Sequence, residues 1–103
     1  LFPYTTLFRS FDFKNEYLIS RYVVRHSGNA GLPERLNTRS FSIEVSQDGK
    51  KWTRVDIQKE NTVSVTDVDI PPTSGRYVRL LIQDAGEDGI ARIGDVEIYG
   101  CRK

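Results

Sequence analysis

Hydrophobic and polar residues alternate with a period of two along much of the chain, and residues 38–46 give the clearest example. The apolar members of this stretch are Phe41, Ile43 and Val45, with serine or glutamate between them. Alternation with this period is typical of a β-strand that has one buried face and one solvent-exposed face. We therefore predict a strand here, with its serines and Glu44 in water.

A turn and a partner strand are expected next. Asp48 precedes Gly49, and this pair favours a tight turn because glycine adopts a positive φ without strain. Residues 52–57 are predicted to return as the second strand of a hairpin. We expect Trp52 to fill the core beside the turn, since a large aromatic side chain gains much from burial.

A second alternating stretch, 17–26, predicts another strand. The residues of its two faces are Leu18, Tyr22, Val24 and His26 on one side, and Ile19, Arg21, Val23 and Arg25 on the other. The two arginines make the second face the expected solvent side. Residues 11–13 have the pattern of the end of a preceding strand, and residues 14–16 are expected to turn the chain between the two.

Short strands separated by turn residues continue to the end of the chain. Residues 27–36 are a predicted loop, because glycines and Pro33 interrupt any period. The remaining predictions are strands over 62–70, 76–83 and 90–99, a break at 71–75, an acidic turn at 84–89, and Gly100 as the end of the domain. The stretch 76–83 is nearly all apolar, which favours a central strand covered on both faces. Strands that recur every eight to twelve residues or so indicate an all-β sandwich.

Composition and charge exclude several classes of protein. The chain has 103 residues, 38% of them hydrophobic and 11% aromatic, which allows one domain and argues against disorder. The formal net charge of +1 comes from scattered residues, so nucleic acid is not an expected partner. No apolar run is long enough to span a membrane. The single cysteine, Cys101, cannot form an internal disulfide, nor a zinc site with the single histidine, His26.

The sequence contains no catalytic motif that we recognise. A nucleophile elbow, a phosphate-binding loop, a zinc-binding HExxH and a dinucleotide fingerprint are all absent. The acidic pairs Asp67 with Asp69 and Glu87 with Asp88 are expected to be solvated loop residues, because the carboxylates of glycosidases sit in a deep cleft. We therefore expect that the protein is not an enzyme.

The first ten residues, LFPYTTLFRS, contain no acidic residue and differ from the rest of the chain. They match, letter for letter, the translation of a widely used sequencing-library adapter. We interpret residues 1–10 as a non-native segment to be left out of the fold, residues 11–100 as the domain and residues 101–103 as a tail. On this interpretation the natural protein continued upstream of Phe11. The alternative is a genuine strand over 4–8.

Three motifs together resemble one family. They are a strand followed by Ser-x-Asp-Gly-x-x-Trp from Ser46, then Arg-Tyr-Val-Arg-Leu from Arg76, then Ala-Arg-Ile-x-Asp-x-Glu-Ile-Tyr-Gly from Ala91. In this order they resemble the second half of the discoidin domain, the galactose-binding-like domain of coagulation factor 5/8 C type, which includes family 32 carbohydrate-binding modules. The resemblance covers residues 11–100. It implies a jelly-roll β-sandwich without its first strands.

The resemblance also implies a metal site and a sugar site. Many members hold a structural calcium ion, for which Asp95 and the carbonyl of Ala91 are the candidate ligands here. Calcium prefers six to eight oxygens, so two ligands imply weak binding at most. Sugar-binding members use loops at one end of the sandwich, where histidine, arginine and asparagine hold the hydroxyl groups. The matching candidates are His26, Glu34, Arg35, Asn37 and Asn61, whereas Arg54 is expected to face solvent.

The implied function is non-catalytic attachment to carbohydrate, either a galactose-type or another glycan. The chain would be one module of a secreted bacterial glycoside hydrolase or similar polysaccharide-active protein, placed outside the cell or at its surface beside the other domains of its parent. Two alternatives stay open. One is a discoidin module that binds phospholipid or a protein surface, for which Leu32 and Leu36 are the comparable apolar loop residues. The other is a structural spacer without a ligand.

Overall fold

Only β-strands occur as regular elements in the part of the chain that the structure describes. The computed structural model describes residues 7–26, 31, 38–84 and 93–102. The strands are β1 (Leu7–His26), β2 (Ser40–Ser46), β3 (Thr53–Gln58), β4 (Val65–Asp84) and β5 (Ile93–Arg102). They form an antiparallel sheet in the order β3-β2-β4-β1-β5. The predicted central strand therefore lies in β4, at the middle of the sheet.

The two longest strands, β1 and β4, each contribute to two layers. Residues 7–12 of β1 pair with 77–82 of β4, and β2 and β3 extend this half into a four-stranded layer. Residues 17–25 of β1 pair with 65–75 of β4, and β5 extends that half into a three-stranded layer. The pairing is interrupted between Asp12 and Tyr17, where the chain passes from one layer to the other.

The two layers pack face to face around one apolar core. The ring of Tyr22, in the three-stranded layer, meets the ring of Phe41, in the four-stranded layer, edge to face at 6.3 Å between centroids. The shortest extent of the molecule is 20 Å, which fits two sheets packed about 10 Å apart. The buried core consists of Ile19, Tyr22, Val24, Phe41, Ile43, Val45, Ile70, Val78, Leu80 and Ile82. The predicted all-β sandwich is confirmed.

The inner face of β1 agrees with the prediction only beyond a bulge. Its buried members include Tyr22, Val24 and His26, as expected. Leu18, however, is 39% exposed, and Ile19, predicted on the solvent side, is 2% exposed. A β-bulge explains the exchange: between Ile19 and Arg21, β1 advances by two residues while its partner β5 advances by one. The extra residue in β1 moves every side chain before it to the opposite face of the strand. The prediction for Val23 is also wrong, because this residue is buried on the outer side.

The outer face of β2 is not in water, contrary to the prediction. Ser42 is fully buried and Glu44 is 9% exposed. Long side chains from β4 cover them: Gln83 donates a hydrogen bond to the Ser42 hydroxyl at 3.0 Å, and Arg79 donates to Glu44 at 2.8 Å. The alternation within β2 could not predict this burial, because the covering side chains belong to another strand. Their stems pack over β2 while their polar ends make hydrogen bonds.

Trp52 lies on this same outer face and not in the core. It is half-buried and precedes β3. The guanidinium of Arg79 stacks over its ring at 4.1 Å from the centroid, and the ring of Tyr77 meets it edge to face at 6.5 Å. The ion pair of Arg79 with Glu44 therefore sits beneath a tryptophan, and the prediction of a core role for Trp52 is wrong.

Two predicted breaks lie inside strands, and the last strand runs beyond Gly100. Residues 14–16 belong to β1, where Lys14 has a φ of 68° and its N–H is held by the Asp12 carboxylate at 2.8 Å. Residues 71–75 belong to β4, and Pro71 and Pro72 fall where the ladder to β1 skips, so their missing N–H groups cost no hydrogen bond. Residues beyond Gly100 continue β5 to Arg102.

The backbone of residues 7–10 also belongs to β1 and pairs with residues 79–82 of β4. These four residues are therefore part of the sheet, while the interpretation of residues 1–10 as a non-native segment stays a prediction. The pairing does not address the adapter origin of the segment.

Candidate functional site

Several strand ends meet at one end of the sandwich. β1 ends here at His26 and β4 begins here at Val65, while the start of β2 is joined to the end of β4 by a hydrogen bond from the Arg39 N–H to the Asp84 carbonyl at 2.9 Å. The connection 59–64 between β3 and β4 lies at the same end, because the Asn61 N–H donates to the Arg39 carbonyl at 2.6 Å. We call this region the His26 end.

His26 is the last residue of β1 and points into the sandwich. Its relative exposure is 0%, and its ring lies 5.5 Å from that of Phe41. Ring atom Nε2 is 2.8 Å from the hydroxyl of Thr66, and the backbone N–H donates to the Ser64 carbonyl at 2.8 Å. Burial lowers the pKa of His26 from 6.5 to about 4, because the interior disfavours the charged ring. The imidazole is therefore neutral near pH 7.

Asn61 joins the same set of hydrogen bonds and is 8% exposed. Its amide nitrogen donates to the carbonyls of Thr38, at 3.0 Å, and of Val63, at 3.2 Å. Its amide oxygen accepts from the Thr66 hydroxyl at 3.1 Å. His26 and Asn61, 35 positions apart in the sequence, are thus connected through a single hydroxyl group.

Two buried polar atoms of this region, Nδ1 of His26 and Oγ1 of Thr38, have no hydrogen-bond partner among the described residues. Buried polar groups are nearly always paired, so an unpaired one calls for an explanation, often an internal water. Thr38 and Thr66 were not predicted to belong to this site. In the sequence each is a β-branched residue of a predicted strand, and nothing there distinguishes it from the other threonines.

The predicted sugar-binding residues divide into two groups. Glu34, Arg35 and Asn37 lie outside the described residues. His26 and Asn61 are brought together, but in the interior, whereas a direct sugar contact needs an accessible atom. The assignment of these five residues to sugar binding stays a prediction.

The predicted calcium ligand Asp95 faces a cation already supplied by the protein. Its carboxylate lies 3.1 Å from Arg25, which also binds Glu97 at 2.6 Å. Among the described residues no group of three or more histidine, cysteine, aspartate or glutamate side chains is placed to hold a metal. A positive guanidinium beside Asp95 opposes a second cation, so the described residues do not fit a calcium site. Ala91 lies outside them, and calcium binding stays a prediction.

Ion pairs also occur on the outer face of the three-stranded layer. Asp67, predicted in a loop, lies on β4 and binds Arg21 through two hydrogen bonds of 2.8 and 2.6 Å. These bonds lower the pKa of the Asp67 carboxyl. The guanidinium of Arg21 also stacks on Tyr99 at 4.5 Å. The acidic and basic groups of this face therefore pair with each other across neighbouring strands, which is a structural use of charge.

Two pockets formed by described residues lie elsewhere. One, of about 230 Å³, is apolar and is lined by Phe13, Tyr17 and Ile98 with their neighbours beside the bend of β1. The other, of about 300 Å³, lies at the β2–β3 turn around Asp48 and Lys51. Neither contains a predicted site residue. No helix in the described ranges is long and apolar enough to cross a membrane.

The architecture is that of an all-β sandwich in which several strand ends meet at the His26 end, a class of domain in which end loops commonly carry binding sites. The sequence profile of the F5/8 type C domain matches residues 8–96, and the chain belongs to this family. The predicted resemblance to discoidin domains is confirmed. No curated protein matches the chain significantly.

Solved structures of carbohydrate-binding modules have the same fold. The family 32 module of Streptococcus pneumoniae EndoD gives a TM-score of 0.79 at 21% identity, over 91% of this chain and 69% of that chain. A CBM32 module from Clostridium perfringens, solved with GalNAc-β-1,3-galactose, gives 0.78 at 14% identity, over 92% of this chain and 66% of that chain. Chitosan-binding module 2 from Paenibacillus sp. IK-5, solved with chitotriose, gives 0.71 at 20% identity, over 90% and 69%. The chain thus spans about two thirds of their length.

Proposed function

We propose that the chain is the larger part of a non-catalytic carbohydrate-binding module. The observation that carries this proposal is its membership of the F5/8 type C family, together with a fold similar to modules solved with GalNAc-β-1,3-galactose and with chitotriose. The surface of the three-stranded layer also supports a binding role over a catalytic one, because its carboxylates are paired with arginines. The pairs are Asp67 with Arg21, and Asp95 and Glu97 with Arg25.

The His26 end is the proposed sugar site. Arg35 and Asn37 are the proposed contacts to sugar hydroxyl groups, since planar donors and acceptors suit neighbouring hydroxyls, and Glu34 is the proposed acceptor. The connection 59–64 would form the neighbouring wall. Exposed residues of this connection include Val63, at 51%, which offers an apolar surface to the C–H face of a sugar.

The wider setting follows from the same proposal. We infer a bacterial protein that is secreted or displayed at the cell surface, in which this module attaches a glycoside hydrolase or similar enzyme to its polysaccharide. Other domains would carry the chemistry. If calcium binds through Asp95 and Ala91, it binds weakly, because Arg25 already occupies the Asp95 carboxylate.

Retention on immobilised GalNAc-β-1,3-galactose and chitotriose tests the proposal. We expect one of the two to retain the protein, and Arg35→Ala to weaken binding by about tenfold or more, the worth of one charge-assisted hydrogen bond. Arg54→Ala is the matched control, because this exposed arginine lies on β3, 3.9 Å from Glu44. Retention by neither glycan, with binding to anionic phospholipid vesicles, would favour the phospholipid alternative. Retention by no surface at all would favour the spacer.

A further inference from the structure

We propose that His26, Thr66 and Asn61 form a buried hydrogen-bonded relay that positions the connection 59–64, and that His26 and Asn61 influence glycan binding without touching the glycan. The proposal rests on the proposed function for its ligand, and its first experiment needs no ligand. It assigns to His26 a role different from that of a direct sugar contact.

The proton positions in the relay follow from what each atom can do. The amide nitrogen of Asn61 faces two carbonyl oxygens, those of Thr38 and Val63. Carbonyls only accept, so the amide oxygen is the atom left for Thr66. The single hydroxyl proton of Thr66 then goes to Asn61, and its oxygen must accept from His26. The neutral ring is therefore protonated at Nε2, with a bare lone pair on Nδ1.

The relay ends on a short segment that is held at several points. Within the segment, the Asn61 N–H donates to the Arg39 carbonyl at 2.6 Å. From outside it, the His26 N–H donates to the Ser64 carbonyl at 2.8 Å. Between β3 and Asn61, Glu60 has a φ of 54°, a left-handed conformation that is strained for a non-glycine residue. Neighbouring contacts must hold such a conformation in place. The relay supplies them directly beside Glu60.

The same segment presents its other side chains to solvent. Lys59, Glu60, Thr62 and Val63 are exposed, while Asn61 between them is buried. Asn61 thus anchors the segment from the inside, and the exposed residues on either side of it are the ones that a ligand can reach. A change inside the relay would therefore alter the shape of the displayed surface even though the ring of His26 is inaccessible.

The first experiment is an NMR measurement of the ring nitrogens of His26 in the protein without ligand. Because His26 is the single histidine, its signals need no assignment. We expect the Nε2–H tautomer near neutral pH. The Nδ1–H tautomer would overturn the relay, since Nε2 could then no longer donate to Thr66. This result stands whether or not the protein binds a glycan.

The second experiment adds GalNAc-β-1,3-galactose or chitotriose, whichever the protein retains, to the same sample. Positioning predicts that the Nδ1 resonance of His26 keeps its value at saturation, whereas amides of the segment 59–64 shift. A large shift of Nδ1 would mean that a sugar hydroxyl donates to it, and would overturn the proposal. If neither glycan binds, the proposed function fails, and the tautomer alone decides on the relay.

Variants separate positioning from general stability. Thr66→Val removes the shared hydroxyl and should weaken glycan binding by about tenfold, the equivalent of one hydrogen bond, while Thr66→Ser restores it. Thr73→Val is the matched control, because the Thr73 hydroxyl donates to a carbonyl two residues away, that of Pro71, at 2.8 Å. Unchanged affinity in a folded Thr66→Val protein would contradict the proposal. Should that variant not fold, the NMR titration of the unaltered protein gives the answer.

Discussion

Burial of His26 should make the protein lose stability in mild acid, and the loss can be assigned to one residue. His26 is the single histidine, so no other side chain has an ordinary pKa near 6.5. Its ring lies against Thr66 and Phe41 among the described residues, and neither of these carries a charge. The variant His26→Gln keeps a side-chain N–H donor for Thr66 and removes the titrating ring.

The direction follows from the pKa difference. In the unfolded chain the ring titrates near 6.5, and in the folded protein its pKa is about 4. Above pH 6.5 both states are neutral and His26 has no effect; below it the unfolded state takes up a proton that the folded state refuses, so stability falls until about pH 4. One pKa unit corresponds to about 1.4 kcal/mol, which gives a loss of roughly 2 kcal/mol at about pH 5 and roughly 3 kcal/mol at about pH 4.

Urea unfolding at about pH 7 and about pH 5 measures the effect. The unaltered protein should lose roughly 2 kcal/mol more than His26→Gln between the two conditions, because the carboxyl groups titrate alike in both proteins and cancel. Equal losses in the two proteins would mean that His26 does not cause the loss of stability in acid. So would an NMR titration of the folded protein that places the His26 midpoint near its ordinary value.

Two further predictions concern packing between and on the layers. Gly75→Ala should destabilise the protein by about 1–3 kcal/mol in urea unfolding, since a Cβ there would lie 2.1 Å from Cγ1 of Val45. The same change should cost less in a Val45→Ala background than in the unaltered protein, and an equal cost in both would mean that another contact is responsible. Glu44→Ala should cost about 2 kcal/mol by leaving Arg79 without its carboxylate partner. The same change should alter the fluorescence of Trp52, on which Arg79 stacks, whereas an unchanged spectrum would contradict the stacked arrangement.

Local rules were sufficient for the hairpin of β2 and β3. The apolar alternation of β2 identified Phe41, Ile43 and Val45 as core residues, and they are at most 2% exposed. The Asp48 turn also follows local chemistry: Gly49 has a φ of 77°, and the carboxylate of Asp48 accepts from the backbone N–H groups of Lys50 and Lys51 at 2.8 and 3.0 Å. These hydrogen bonds lower the pKa of Asp48 to about 2. Both features depend on residues close to one another in the chain, so they can be predicted from the sequence.

Features set by distant strands could not be predicted in the same way. The bulge between Ile19 and Arg21 depends on pairing with β5, about 80 positions later, and it exchanges the faces of Leu18 and Ile19. The cover over β2 depends on Arg79 and Gln83 from β4. A period-two pattern describes the two faces of one strand. It holds no information on side chains from other strands that cover one of those faces.

The candidate site was predicted in part, for a related reason. His26 and Asn61 were singled out from a family resemblance, and the structure joins them through Thr66, which carried no signal in the sequence. Their depth could not be predicted. Burial is a property of the assembled end of the sandwich, where β1, β2 and the connection before β4 meet, and no one segment determines it.

Whether the His26 end binds carbohydrate can be decided by an NMR titration of backbone amides with GalNAc-β-1,3-galactose and with chitotriose. Binding at this end should give saturable shifts at His26, at residues 38–39 and across 59–66 with at least one of the two sugars. The distant β2–β3 turn, 47–52, should keep its resonances. Shifts confined to that turn, or no shifts with either sugar, would rule out a sugar site at the His26 end.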